Sequence, residues 1–278
     1  MRWPSFKYIF FDCDSTLSTI EGIDVLAETA DKKWRVEVLT NAAMNGDLDL
    51  GEVYGKRLKA VRPTRHQVHQ IKNAYKKTIV EDAAEVIAAL QKFGIEVFVI
   101  SGGLLEPVKE FAISLGVAPD NIRAVDVQYD SLSGEWWRQS DGQAVRYKTF
   151  EDGALTITDG KADIVHELLA DRPQGRSLLI GDGTSDMMAG RRVDLFVGYG
   201  GVIKREKVFD NAPVFLHSAS LAPLLSLAIG PRSLSYFDGS DFEPLVKKGH
   251  NLIENGALTF KDVDLEEKFS EASVNLVI

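Results

Sequence analysis

Four short apolar runs that lack period-two alternation most constrain how this chain can fold. They are YIFF at 8–11, VFVI at 97–100, LLI at 178–180 and LFV at 195–197, and each leads into small or acidic residues. Such runs are typical of strands that are buried on both faces of a parallel sheet. Between them lie helical patterns, as at 162–169. This alternation predicts an α/β fold, a parallel sheet covered by helices, with ligands at the carboxyl ends of the strands.

Composition narrows the class of protein. The net charge of −9 argues against nonspecific binding to nucleic acid or to anionic membranes. We find no apolar run of the roughly 20 residues that a membrane helix needs and no signal-peptide pattern at the start of the sequence. The single cysteine, Cys13, excludes an intrachain disulfide. We therefore expect a cytoplasmic protein with a small-molecule substrate and neither a nucleic-acid nor a membrane partner, and we leave homodimer formation open.

The organisation along the chain is uneven. Residues 17–75 carry helical patterns without a convincing strand, and Thr64 with Gln67 forms a capping-box pattern at one helix start. We expect this interval to be a helical cap inserted into a catalytic core made of 1–16 and 76–230. A hairpin is predicted around 133–137, within an irregular stretch from 125 to 158. Residues 231–278 carry no recognisable motif and form an extension of unknown role.

The first candidate site follows the first predicted strand. Asp12 and Asp14 are two residues apart, so in an extended segment their side chains share one face. One carboxylate could then attack an electrophile while the other moves protons, with a cation such as Mg²⁺ held by oxygen ligands. The alternative is that these polar residues only cap a following helix.

Three further segments lie at the carboxyl end of a predicted strand or at the start of a predicted helix. Ser101-Gly102-Gly103 suits a phosphate cradle, although an ordinary strand-to-helix turn looks similar. Asp182 could complete an oxygen-only metal site with Asp12. Asp186 could hold the metal ligands in place without binding the metal itself, or it could simply lie in the first turn of a helix. Lys161 stands at the start of a predicted helix, where a cation is unfavourable, so it is either solvated or neutralised by an anion.

Together, in this order, these segments resemble the four motifs of the haloacid-dehalogenase (HAD) superfamily of phosphohydrolases. The resemblance implies a Rossmannoid core and Mg²⁺-dependent transfer through an aspartyl-phosphate. It makes Asp12 the nucleophile and Asp14 the general acid and then base. It also implies that Ser101 and Lys161 bind the phosphoryl oxygens. The implied metal ligands are Asp12, the Asp14 backbone carbonyl and Asp182. Asp186 would support these ligands without binding the metal.

Within the superfamily, DCDSTLSTIEGIDVLA at 12–27 looks like the phosphoserine phosphatase family, and the likeness covers roughly residues 6–220. It implies a hydrolase of O-phospho-L-serine in serine biosynthesis, with Glu21 on the substrate ammonium and Arg57 on its carboxylate. Asn45 and Leu50 depart from the family pattern. Another small organic phosphate such as phosphoethanolamine or phosphoglycolate, a phosphotransferase, and a noncatalytic Mg²⁺-binding protein therefore stay as alternatives. The substrate-binding residues implied by the resemblance are Glu21, Met44, Arg57, Ser101, Gly102, Gly103, Lys161 and Ser185.

Overall fold

The computed structural model describes residues 3–45, 47–133 and 144–274. The first half of the chain is mostly helical after one strand. Its elements are β1 (Tyr8–Phe11), α1 (Gly22–Thr29), α2 (Lys33–Asn45), α3 (Leu50–Val61), α4 (Arg65–Lys77), α5 (Ala83–Lys92), β2 (Glu96–Leu104) and α6 (Leu105–Ser114). The remaining elements are β3 (Ile122–Val125), β4 (Val127–Asp130), β5 (Arg146–Phe150), α7 (Lys161–Ala170), β6 (Ser177–Gly181), α8 (Thr184–Ala189), β7 (Leu195–Tyr199), α9 (Glu206–Asn211), β8 (Val214–Leu216), α10 (Leu224–Ile229), α11 (Ser233–Phe237), α12 (Glu243–Glu254), β9 (Leu258–Phe260) and α13 (Val263–Val274).

The main sheet has the strand order β3-β2-β1-β6-β7-β8-β9, and only its last pair, β8 with β9, is antiparallel. All four residues of β1 are buried, and Phe11 pairs with Val99 on one side and with Ile180 on the other. This doubly covered parallel sheet confirms the predicted α/β fold. The three inner strands β2, β1 and β6 therefore bring their carboxyl ends to one edge.

One predicted strand end is wrong. The apolar run at 97–100 predicts a strand that ends at Ile100, whereas β2 continues to Leu104. Its pairing with β3 is irregular between Ile100 and Leu104. Ser101, Gly102 and Gly103 thus lie within an irregular strand end, and the helix α6 follows them directly.

Helices α1 to α4 occupy the interval for which we predict a cap. The capping box at the start of α4 is confirmed: Thr64 Oγ1 accepts a hydrogen bond from Gln67 N at 3.2 Å, and Thr64 N donates to Gln67 Oε1 at 2.8 Å. Strands β4 and β5 form a separate antiparallel pair. They flank the predicted turn, of which 134–137 lie outside the described residues. Beyond residue 230, β9 joins the main sheet and α12 packs against α10.

Candidate active site

Asp12 lies directly after β1, in the middle of the sheet edge, and is 5% exposed. Its Oδ1 accepts a hydrogen bond from Cys13 N at 2.8 Å and lies 2.8 Å from Lys161 Nζ. Lys161 begins α7 and also reaches Asp186 Oδ1 at 2.7 Å. Burial alone would lower the pKa of Lys161, but Asp12 and Asp186 raise it above its usual value. Of the two readings of Lys161, the structure supports neutralisation by anions.

A cluster of three buried carboxylates could hold a metal ion. One oxygen each from Asp12, Asp182 and Asp186 lies within 4.8 Å of the others. Burial, opposed by Arg205 and reinforced by Asp12, raises the pKa of Asp182 to about 6. Burial followed by Asp12 raises the pKa of Asp186 to about 8. Burial is thus the main cause of both raised values, and the charge of Asp12 adds to it. Hard oxygen donors are the ligands that a small divalent cation prefers.

Asp14 is buried but faces a different set of partners. Its Oδ1 accepts hydrogen bonds from the Tyr75 hydroxyl at 2.6 Å and from Gly22 N at 2.8 Å. Burial raises the pKa of Asp14 to about 7, although the bond from Tyr75 opposes that rise. A carboxyl group with a pKa near neutrality suits general acid and base work.

Two hydrogen bonds hold the irregular end of β2. Gly103 N donates to Ser101 Oγ at 2.9 Å, and the Tyr54 hydroxyl donates to Gly102 O at 2.9 Å. A Cβ added at Gly103 would lie only 2.9 Å from Asp14 Oδ2, so a side chain at that position would displace the carboxyl group. The glycine lets the backbone approach Asp14 closely.

Two charged residues of opposite sign extend the site. Arg57, on α3, is 4% exposed, donates from Nη1 to Thr40 Oγ1 at 3.1 Å, and leaves its buried Nε without a hydrogen-bond partner. Glu21, just before α1, accepts a hydrogen bond from Ser15 Oγ at 2.8 Å. Burial, and then the charges of Asp14 and Asp182, raise the pKa of Glu21 well above its usual value. Both groups would therefore gain from a ligand of opposite charge.

Arg205 is a buried member of the site that the sequence analysis missed. Its Nε donates to Asp182 Oδ2 at 2.9 Å, its Nη2 lies 3.6 Å from Glu21 Oε1, and its Nη1 donates to Asn45 Oδ1 at 3.4 Å. In the sequence it belongs to the charged run Lys204 to Lys207, which looks like a solvated surface. The available signal was its position after β7, another strand that ends at the same sheet edge.

Most of the predicted site residues line one cavity. The side chain of Met44 is outside the described part of the structure. Ser101, Asp182 and Asp186 are buried and are not among the lining residues, whereas the other predicted residues that the structure describes line the cavity. Tyr54 and several aliphatic side chains of the wall were not predicted. The lining residues are Asp12, Asp14, Glu21, Ile23, Leu50, Tyr54, Arg57, Leu58, Gly102, Gly103, Leu104, Leu155, Ile157, Lys161 and Ser185.

Comparison with known proteins identifies the family of the chain. The family model of the haloacid dehalogenase-like hydrolases matches residues 9–191. The chain belongs to this family of hydrolases. Within it, the chain is similar to phosphoserine phosphatases: it is 30% identical to the mouse protein over 208 residues, which are 75% of this chain and 88% of the relative.

Two further matches cover a similar share of this chain. The chloroplastic phosphoserine phosphatase of Arabidopsis thaliana is 31% identical over 213 residues, 76% of this chain and 68% of the relative. A phosphoserine phosphohydrolase-like protein from Francisella tularensis superposes with a TM-score of 0.64 at 27% identity, covering 79% of this chain and 99% of that structure. In the described residues, none of the helices combines the length and apolar character needed to cross a membrane.

Proposed function

We propose that this chain is a Mg²⁺-dependent phosphomonoester hydrolase that converts O-phospho-L-serine into L-serine and phosphate. The observation that carries the proposal is that one cavity is lined by Asp12, Asp14 and Lys161 together with Glu21 and Arg57. The first three suit phosphoryl transfer, and the last two suit the charged groups of an amino acid. The relatives named phosphoserine phosphatase support this choice of substrate.

The acidic cluster fits Mg²⁺, because its donors are buried carboxylate oxygens within 4.8 Å of one another. We assign the ion to Asp12, Asp182 and the backbone carbonyl of Asp14, with Asp186 positioning Lys161 at 2.7 Å. When bound, Mg²⁺ would neutralise phosphoryl charge and lower the repulsion between Asp12 and an incoming phosphate. Lys161, which already contacts Asp12 at 2.8 Å, supplies a second cation for the same purpose.

In the first half of the reaction, a carboxylate oxygen of Asp12 attacks phosphorus. The bond from phosphorus to the seryl oxygen breaks, and its electron pair stays on that oxygen. Asp14 donates a proton to the departing oxygen, so serine leaves as a neutral alcohol and Asp14 becomes a carboxylate. Ser101 and the backbone at Gly102 and Gly103 hold the phosphoryl oxygens during this step.

In the second half, Asp14 removes a proton from water, and the water oxygen attacks phosphorus. The bond between Asp12 and phosphorus breaks, which releases phosphate and restores both side chains to their starting states. A buried carboxyl group with a pKa of about 7 can serve in both directions.

Substrate recognition follows from the two charged groups near the acids. The Nε of Arg57 is buried and unpartnered, and a planar guanidinium binds a carboxylate through two parallel hydrogen bonds. Glu21 complements the substrate ammonium, which would offset the negative charge that Asp14 and Asp182 place around it. We further propose that 17–75, which supplies both residues, acts as a cap over a core of 1–16 and 76–230.

A second candidate keeps the chemistry and changes the substrate. Aliphatic residues form much of the cavity wall, including Leu50, Leu155 and Ile157, and they would also accept another small phosphomonoester. A substrate panel decides between the two candidates, because Arg57 favours esters that carry a carboxylate and Glu21 favours esters that carry an ammonium group.

The proposed mechanism is tested by trapping the intermediate. We expect acid quenching during turnover of phosphoserine, followed by peptide mapping, to find the phosphoryl group on Asp12. The Asp12→Asn protein should show none, and a matched exposed control, Asp120→Asn, should label like the wild type. Label on another residue, with Asp12 unmodified, would overturn the assignment of the nucleophile.

A further inference from the structure

The two carboxylate oxygens of Asp14 have different surroundings. Oδ1 accepts hydrogen bonds from the Tyr75 hydroxyl and from Gly22 N, at 2.6 and 2.8 Å. Oδ2 lies beside Gly103 in the cavity wall, where an added Cβ would come within 2.9 Å of it. Within the described residues we find no hydrogen-bond donor to Oδ2. One oxygen of Asp14 is thus anchored by two donors, and the other has none among the described residues.

Tyr75 is itself held rigidly. It is fully buried, and its ring stacks on Phe111 of α6 with 5.2 Å between the ring centroids. The helix that carries Tyr75, α4, is also joined to α6 by ion pairs, among them Lys72 to Glu110 at 2.6 Å. The hydroxyl therefore has little freedom to choose another acceptor.

Gly22 completes the fit around the hydroxyl. A Cβ at residue 22 would lie 2.3 Å from the Tyr75 hydroxyl oxygen, far inside contact distance. The absence of a side chain at Gly22 lets the hydroxyl and the backbone N–H reach the same oxygen of Asp14. Two donors on one carboxylate oxygen fix the rotation of the carboxyl plane about the Cβ–Cγ bond.

We propose that Tyr75 is a positioning residue for leaving-group protonation, because its hydroxyl holds Asp14 so that Oδ2 faces the departing oxygen. The inference rests on the proposed function. In the step concerned, the proton on Oδ2 moves to the ester oxygen, which keeps the electron pair of the broken bond to phosphorus. Asp14 then becomes anionic, and the two hydrogen bonds at Oδ1 stabilise the carboxylate that forms. Tyr75 acts on the ester only through Asp14.

The Tyr75→Phe protein tests this role, because it keeps the stacked ring and removes only the hydroxyl. The measured quantity is kcat/KM, which for this reaction covers all steps through departure of the leaving group and excludes the later attack of water. Two substrates are compared. The seryl oxygen of phosphoserine needs a proton as it leaves, whereas the acetate released from acetyl phosphate is a stable anion at neutral pH.

With phosphoserine, we expect kcat/KM to fall about 10-fold to 100-fold, since one hydrogen bond to an ionised group and part of the general-acid contribution are lost. With acetyl phosphate, the change should stay below about 3-fold, because no protonation is required there. Tyr8→Phe is the matched control. It removes another tyrosine hydroxyl, which donates to Pro173 O at 2.5 Å. Tyr8 begins β1 and Asp12 follows its other end, so this variant should leave both values unchanged.

Equal losses with the two substrates would overturn the proposal, because a general disturbance of the site does not depend on the leaving group. An unchanged kcat/KM for phosphoserine would overturn it as well. Failure of the proposed function has a different signature: the wild type itself would not hydrolyse phosphoserine. In that case the best alkyl phosphate of the panel takes the place of phosphoserine, and the same contrast with acetyl phosphate decides the role of Tyr75.

Discussion

Replacing Arg57 by methionine separates substrate recognition from catalysis. Methionine keeps an unbranched apolar stem and removes the guanidinium, which in the structure is 4% exposed and has an unpartnered Nε. In the described residues, no carboxylate lies within 4 Å of this cation, and its contact at Thr40 is with a hydroxyl at 3.1 Å. The free protein therefore holds this buried charge over the Tyr54 ring without an ion pair, and a substrate carboxylate would supply one.

The expected loss of kcat/KM follows from the free energy of the pair between Arg57 and the substrate carboxylate. A hydrogen bond between charged groups contributes about 1.5–3 kcal/mol, so kcat/KM for phosphoserine should fall roughly 10-fold to 150-fold in Arg57→Met. Phosphoethanolamine has no carboxylate, and its kcat/KM should change less than about 3-fold. The free energy of unfolding without substrate should stay equal or rise, because the unpaired cation is gone.

The assay is phosphate release under steady-state conditions with both esters, together with urea unfolding of each protein. Arg65→Met is the matched control: Arg65 is about half exposed and lies 3.8 Å from Glu106 at the surface. It should leave both kcat/KM values unchanged, because exposed pairs contribute about 0–1 kcal/mol. If phosphoserine and phosphoethanolamine lost activity equally in Arg57→Met, the role of Arg57 as a carboxylate clamp would be refuted.

Two further predictions concern charge in the site. The raised pKa values of Asp182 (about 6) and Asp186 (about 8) mean that the folded state binds more protons than the unfolded state, so the metal-free protein should lose stability as pH rises from about 5.5 to 8. Thermal unfolding across this range should show the loss, Mg²⁺ should reduce it at pH 8, and a steeper rather than flatter dependence in Asp186→Asn would contradict it. Lys161→Met leaves Asp12 and Asp186 without their shared cation, so it should cost about 3–5 kcal/mol at pH 8 and less at pH 5.5. Urea unfolding at the two pH values measures this, and an equal cost at both would argue against buried, ionised carboxylates.

The inner part of the sheet could be predicted because local sequence determines it. The run YIFF at 8–11 is a strand with those bounds, and the buried runs at 178–180 and 195–197 lie within β6 and β7. The start of α4 was predictable for the same reason, since a capping box is complete within four residues. Strand β9, in contrast, has a weak pattern of three half-buried residues and owes its place to pairing with β8. Such pairing across the fold leaves little local signal.

The site residues also differ in whether local sequence predicts their position. Asp12 and Ser101 come directly after predicted strands, and Asp182 comes one residue later than that, so topology alone brings them to one edge. Tyr75 and Arg205 reach the same place from helical or charged segments whose local patterns indicate a packed or solvated face. Their partners, Asp14 and Asp182, are 61 and 23 residues away in sequence. Contacts of that kind follow from how helices pack onto the sheet, which a single sequence does not specify.

Phosphate release by the purified protein tests the central claim most directly. The esters are O-phospho-L-serine, phosphoethanolamine, phosphoglycolate and phosphothreonine, each measured with Mg²⁺ and with a chelator, and Asp12→Asn serves as the blank. We expect release that depends on Mg²⁺, a kcat/KM for phosphoserine higher than that for the other esters by orders of magnitude, and no turnover by the blank. Absence of release from every ester with Mg²⁺ present, or turnover by Asp12→Asn close to that of the wild type, would contradict the proposed phosphatase chemistry.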